Sequence, residues 1–520
     1  MTLDPKQRIA AIIDAAPDLD EPLPEETGIE GGETLSDEGG EGPASDDQPD
    51  IVEEATDGPA GDGAPLRVPK DWGFSIDRMN EEWAFVLMGS KAMIIREQAT
   101  GPIEDRVRVL SIDAFRAFFS NRPTQIGTIE KITTTTWAKR WLAHRKRRTF
   151  DGIEFFPNPD GAPATEGYLN LYRGFSVVPK AKPNGWKTLR DHMLTNICRG
   201  DKALYTWLFA WFAHLMQRPR ERIGTAIVVR GRMGTGKTIV GEFMGSLIAS
   251  HYFLVGDARY ITGNFNAHMA SCLLLQAEEA VWAGDKAAEG RLKDLVTAEI
   301  QMIEQKSIDP IRLKNFVRLL MTSNEDWVVP AGKDERRFAV FDVDPRCAQD
   351  HDYFAEMREE MDNGGREALL ADLLAFDLSS INLRRIPKTA ALLEQKFRSL
   401  DTIENWWVER LFDGSTRRGR DEWESVVAVD QLFDEYIATS EKIGVKRKSE
   451  KTSFGIKMMK IVPGIVRVRP WRTNEHNVRL RMWCYEMPPL ARCRDAFEEA
   501  VGQRIDWGIV DDESGMGGEP

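Results

Sequence analysis

Eight residues, Gly231-Arg-Met-Gly-Thr-Gly-Lys-Thr238, constrain this 520-residue chain more than any other feature. Glycines at 231, 234 and 236 let the backbone curl so that successive amides point inward, and a lysine and a hydroxyl follow at once. Such a loop is built to cradle a phosphate chain. Gly231, Gly234, Thr235 and Gly236 would supply the amide donors, Lys237 would reach the β/γ oxygens, and Thr238 would ligate Mg²⁺. The flanks agree: Thr225–Arg230 reads as a buried strand entering the loop, and Thr238–Ala249 as the helix whose N-terminus receives the phosphates.

Residues downstream narrow the chemistry. Ser271–Glu279 is an apolar strand ending in two adjacent carboxylates, which places Glu278 to hold Mg²⁺ and Glu279 to polarise an attacking water. A second apolar strand, Arg318–Asn324, ends in an amide that can bond a γ-phosphate or that water, so Asn324 is the expected sensor. Thr322 and Ser323 are expected to satisfy backbone at the strand end. Asp334-Glu-Arg-Arg337 then precedes the alternating strand Phe338–Val343. An arginine there suits a finger that stabilises γ-phosphate charge on a neighbouring subunit, with Arg337 preferred over Arg336 because it abuts the strand. Between the two carboxylates and Asn324, Met302–Asn315 reads as two short strands joined by a Ser307–Pro310 turn. Lys306, Arg312 and Lys314 on it could grip a single-stranded backbone.

The net charge of −14 conceals two different halves. Residues 1–66 carry 19 acidic and 2 basic side chains, leaving 64 acidic and 67 basic over the other 454 positions. That first stretch, rich in Gly and Pro, reads as a disordered acidic tail. Residues 67–200 read as an α+β domain with a hairpin at 83–95, helices at 112–120 and 135–144, and a basic run at 144–148 that suits either phosphate contact or a solvated helix end. Residues 201–345 read as the P-loop nucleotide-binding domain, opening on an apolar helix capped by Asp201 whose aromatics read as core. A helical connector at 346–400 follows. Residues 442–481 hold 12 Lys/Arg against 2 acidic side chains. Helices near 426–439 and 449–461 and a hairpin over 464–485 give a winged-helix pattern, with Lys446, Arg447, Lys448, Lys451 and Lys457 as phosphate contacts. Residues 509–520 read as a frayed tail. No apolar run reaches the roughly 20 residues of a membrane span, and five cysteines without paired spacing read as reduced thiols in a cytoplasmic protein.

The order Gly231–Thr238, Glu278-Glu279, basic hairpin, Asn324, Arg337 resembles the superfamily 3 helicases of phages, plasmids and DNA viruses, closest to their primase-helicase group. The stretches Leu169–Phe175 and Thr262–Asn266 carry the same resemblance. It covers about residues 70–510 and is most specific over 225–343. It implies an AAA+-like α/β fold, ATP and Mg²⁺ as cofactors, and a homo-hexameric ring on single-stranded or forked DNA. The Glu278-Glu279 pair departs from the commoner Asp-Glu, which leaves the division of roles between the two open. Residues 67–200 lack a paired-aspartate metal motif, so a primase or polymerase is expected as a separate partner rather than on this chain. Two further readings stay open: a DNA-packaging motor, which would need an acidic nuclease domain where 400–508 is basic, and an ATP-switched initiator that does not unwind.

Overall fold

The computed structural model describes residues 69–98, 106–128, 131–263, 266–279, 286–305, 308–418, 422–442, 449–473 and 479–508. At its centre lies a five-stranded parallel sheet. Its strands in chain order are β1 (Ala226–Arg230), β2 (Tyr252–Val255), β3 (Leu274–Glu278), β4 (Arg318–Ser323) and β5 (Phe338–Asp342). Their spatial order is β2-β3-β4-β1-β5. The chain leaves β1, second from one edge, for the far edge, walks back to β4 beside it, and then crosses to β5. The carboxyl ends of β1, β3 and β4 therefore meet at one rim, where ligands bind in open α/β sheets.

Both faces of the sheet are covered, which explains its nearly continuous apolar strands. One face (Ile227, Val229, Leu274, Leu320, Phe341) packs on α1 (Lys202–Gln217), α2 (Lys237–Ser246) and the helix Arg366–Ala375. The other (Val228, Leu275, Ala277, Met321, Val340) packs on the helices Lys286–Thr297 and Ala390–Arg398. Asp201 caps α1, its carboxylate accepting from the amides of Ala203 (2.8 Å) and Leu204 (3.0 Å). The aromatics of α1 are core: Trp207, Phe209, Trp211 and Phe212 are buried, and Phe209 stacks on Trp186 at 5.5 Å.

Ahead of this unit, a four-stranded sheet pairs Trp83–Met88 with Lys91–Glu97, flanked by Val107–Ser111 and Thr149–Phe150. The expected helix at 135–144 is only Trp137–Leu142. Four consecutive threonines, 133–136, instead extend a strand, Lys131–Thr136, against Pro123–Thr128, because β-branched side chains fit a pleated surface better than a helix. In the basic run after it, Arg145 and Lys146 are exposed, while Arg147 and Arg148 turn to the protein. Arg147 lies over Phe85 at 3.9 Å and donates to the Leu142 carbonyl, and Arg148 pairs with Glu97.

The last unit orders as helix Thr402–Asp413, strand Val426–Ala428, helix Val429–Lys442, helix Lys451–Ile461 and strand Val466–Val468. A small hairpin, Trp471–Thr473 with Arg479–Arg481, then leads to strand Cys484–Glu486 and helix Leu490–Val501. Val426–Ala428 and Val466–Val468 both pair with Cys484–Glu486. The returning arm of the hairpin expected over 464–485 is thus two strands, broken at Met482, whose amide bonds the Pro470 carbonyl. Among the described residues no helix is long and apolar enough to cross a membrane, and all five cysteines are buried and free.

Candidate functional site

The glycine-rich loop leaves β1 and enters α2 at the sheet's carboxyl rim. Gly234 (φ +76°) and Gly236 (φ +78°) take left-handed conformations that side chains rarely adopt. A methyl on Gly236 would also sit 2.6 Å from Phe354 and 2.8 Å from His192. The loop's base is held by Arg230, which pairs with Asp342 on the adjoining strand and with Glu394. Thr235 is buried and donates to the Arg232 carbonyl (2.8 Å), closing the curl.

Lys237, only 8% exposed, turns back across this loop. Its Nζ donates to the carbonyls of Gly231 (2.8 Å) and Arg232 (2.7 Å) and to Asn324 Oδ1 (2.7 Å), using all three ammonium protons. Burial lowers its pKa, and the nearby Glu279 and Glu278 oppose that. Thr238 Oγ1 donates to Glu278, and the Asn324 amide donates to Glu279. Five predicted residues from two strand ends and one helix thus form one cluster, linked as Lys237–Asn324–Glu279 and Thr238–Glu278. Glu279 holds φ +50°, a strained value for a non-glycine, while its amide bonds the Thr322 carbonyl (2.9 Å). This kink frees the second carboxylate from strand alternation, so both acids face one cleft of about 620 Å³ lined by Gly234–Thr238, Glu278, Glu279 and Asn324.

Several residues here carry no local signal in the sequence. Thr322 was expected to satisfy backbone. Instead its hydroxyl is buried, lines the cleft and has no hydrogen-bond partner among the described residues. Ser323 does take the expected role, accepting from the Glu325 amide (3.0 Å). Beneath the loop, Asn196 Nδ2 donates to His192 Nδ1 (2.9 Å) and to Cys347 Sγ (3.0 Å), which leaves the His192 Nε2 proton for the Gly236 carbonyl (3.3 Å). Burial pushes the His192 pKa down to about 4. The outer wall is the helix His351–Glu360, whose His351, Phe354 and Arg358 fall on one face and line the cleft. The stretch expected as a connector thus supplies a side of the site. Gln276, fully buried, ties the carbonyl of Thr238 (3.1 Å) to the Tyr252 hydroxyl (2.9 Å). A Cβ on Gly241 would meet Gln276 Oε1 at 1.8 Å, so only glycine lets α2 lie this close to β3.

Arg337 is not in this cleft. It precedes β5 at the amino end of the sheet, where its carbonyl accepts from Ala226 at the start of β1. Five strand residues, about 16 Å, separate it from the loop. Its amide and that of Arg336 bond Glu335, and its own guanidinium Nε is buried without a partner among the described residues.

The basic hairpin runs Ile300–Gln305 against Ile308–Lys314. Its turn comes earlier than expected, since Ile308–Pro310 already belong to the second strand; Lys306 lies outside the described residues. Arg312 and Lys314 share the exposed face, while Ile303 and Leu313 pack into the core. Asn266 pins the hairpin, donating to the Met302 carbonyl and accepting from the Glu304 amide (both 2.8 Å).

In the last unit, Lys446, Arg447 and Lys448 lie outside the described residues. Two of the other expected phosphate contacts are already engaged. Lys457 bridges Asp401 (2.7 Å) and Glu404 (2.8 Å), and Lys451 pairs with Asp430. Burial works against the Lys457 charge, yet the two carboxylates outweigh it and raise its pKa. Lys457 is thus a tie to the helix Thr402–Asp413, because that helix's first turn presents acids directly across from it.

Fold and site together define a mixed α/β protein whose parallel sheet carries a glycine-rich loop at its carboxyl rim. Residues 229–337, from the end of β1 to Arg337, match a family of unknown function, DUF5906. The C-terminal region of NrS-1 in its apo form shares the fold, with a TM-score of 0.56 at 16% identity over 78% of this chain and 96% of that one. An A-form structure of the same region gives 0.55 over 80% and 99%. In sequence the chain is similar to the DNA primase-polymerase of Nitratiruptor phage NrS-1, 24% identical over 244 residues; the match takes in 46% of this chain and 33% of that protein.

Proposed function

We propose that this chain is an ATP-dependent DNA helicase of phage or mobile-element replication, related in its motor to the region that follows in the phage primase-polymerase. The observation that carries the reading is the cluster Lys237–Asn324–Glu279 and Thr238–Glu278 around the glycine loop. The similarity to a phage DNA primase-polymerase supports a place in replication.

The residues present fit a nucleoside triphosphate with Mg²⁺. Left-handed glycines open the loop amides, and Thr322, whose hydroxyl is buried without a partner among the described residues, lines the same cleft. Mg²⁺, when bound, would supply charge neutralisation at the β/γ oxygens, with Thr238 and Glu278 as its holders. Lys237 would exchange its loop carbonyls for phosphate oxygens. Asn324 holds Glu279, so Glu279 would orient a water and take its proton as the water oxygen attacks γ-phosphorus and the bond to the β-bridging oxygen breaks, giving ADP and phosphate. Arg337 stands about 16 Å from its own loop and would serve a neighbour's γ-phosphate, which favours a ring, read here as a homo-hexamer. Arg312 and Lys314, exposed on the hairpin, would contact single-stranded DNA. The C-terminal unit, with its helices and strand-paired hairpin, is read as winged-helix-like.

Lys237→Ala should abolish ATP hydrolysis and forked-DNA unwinding while leaving DNA binding by the last unit intact. Normal unwinding by that variant would sink the proposal. Nucleotide-dependent DNA binding by the parent protein without strand displacement would point instead to a switch.

A further inference from the structure

We infer that the C-terminal unit holds single-stranded DNA by base stacking, on a platform made by Trp471 and Trp483 and their arginines. The inference rests on the DNA-directed reading above and specifies how this unit would bind.

Fifteen tryptophans occur in the chain; Trp72, 47% exposed, stands by itself near the start of the described residues, and seven of those described are buried. Trp471 and Trp483 are not: they are 57% and 46% exposed. Burying an indole is strongly favourable, so two left in water on the small hairpin and the residues just after it need an explanation. Trp471 lies directly across the small hairpin from Arg481, whose guanidinium sits over its ring at 5.6 Å. Arg479 shares that face by strand alternation, and both arginines are exposed. Trp483 follows Arg481 by two residues and is covered by Arg467 at 4.4 Å and Arg469 at 5.4 Å. Each ring therefore has a guanidinium against it and still exposes close to half its surface. One strand step of about 7 Å and one interstrand spacing of about 5 Å put the two tryptophan backbones within about 12 Å. That is the span of three or four bases at 3.4 Å per step.

Charge selects the occupant. Residues 466–486 contain five arginines and two glutamates. Indoles with guanidiniums beside them and close to half their surface exposed suit an unpaired base, while the same arginines meet its phosphates. Trp and Arg also serve protein interfaces, so what selects nucleic acid is the excess of five arginines over two glutamates, which a polyanion neutralises along its length. Duplex DNA offers stacked bases with no free faces, so the platform requires a single strand.

The test is binding of labelled oligonucleotides to the full chain without nucleotide, followed by anisotropy. Oligo-dT should bind at least ten-fold more tightly than an abasic strand of equal length and charge, and more tightly than duplex. Trp471→Ala and Trp483→Ala should each cost about ten-fold on dT and leave abasic binding unchanged. Trp471→Phe should keep most of the affinity, which separates stacking from damage to the fold. Equal affinity for dT and abasic strands, or unchanged dT binding by both alanine variants, would overturn the inference. Tighter binding of oligo-rU than of dT would overturn its assignment to DNA. Because no ATP is present, this result is independent of whether Lys237→Ala abolishes unwinding.

Discussion

His251 offers the sharpest test of how the structure is wired. It is fully buried, and both ring nitrogens are used: Nε2 accepts from the Arg173 amide (2.8 Å) and Nδ1–H donates to the Ser271 carbonyl (2.8 Å). Tyr172 stacks on the ring at 5.1 Å. The neutral imidazole is the form that fits, because a proton on Nε2 would face the Arg173 N–H. Burial is the main cause that brings the His251 pKa down to about 4 from an ordinary 6.5. The unfolded chain therefore binds more protons than the native one between about pH 6.5 and pH 4, and stability falls as pH drops through that window. From pH 6.5 to 5 the separation is about 1.5 units, or about 2 kcal/mol at 1.36 kcal/mol per unit. His192 and His214, also brought to about 4 by burial, add losses of the same sign. The assay is urea unfolding at pH 7 and pH 5. His251→Gln should be less stable at pH 7 by about 1–3 kcal/mol from broken buried hydrogen bonds. Its further loss on going to pH 5 should be smaller than that of the parent by about 2 kcal/mol. Equal losses in parent and variant would refute the neutral, doubly bonded histidine.

Gly236→Ala should destabilise by about 2–5 kcal/mol, from its left-handed backbone and the contacts of its new methyl with Phe354 and His192. Gly290→Ala, in helix Lys286–Thr297 with open space around it, should instead add up to about 1 kcal/mol; thermal unfolding of the pair checks both signs. Lys457→Ala should cost only about 1 kcal/mol in unfolding, since Glu404 keeps Lys333 (2.9 Å) and Asp401 is half-exposed, and should leave the affinity for oligo-dT unchanged in anisotropy. A large loss of affinity there would restore Lys457 as a phosphate contact.

Much of the cleft is legible in the sequence because its parts are local. A glycine every two or three residues dictates a curled loop, and an apolar run ending in carboxylates or an amide marks a strand reaching a rim. Gly231–Thr238, Glu278, Glu279 and Asn324 converge for that reason. The start of the helix after Asp201 was likewise readable from its cap, and the helix expected over 449–461 is found as Lys451–Ile461. The Thr133–Thr136 strand was not, since a short β-branched run beside an amphipathic segment is resolved only by its partner, Pro123–Thr128.

What the sequence determined by itself is the phosphate loop, the order of the groups that follow it and the charge of each segment, all properties of neighbours along the chain. The tertiary structure alone decided the cleft's other half. His192 and Cys347, 155 residues apart, meet under the loop through Asn196, and Arg358 closes its wall. It also decided which cations are available: Lys457 is spent on Asp401 and Glu404, while Trp471 and Trp483 stand in solvent beside arginines. A basic residue's role depends on which acid or ring the fold brings across from it, and that pairing is set by packing, not by sequence spacing.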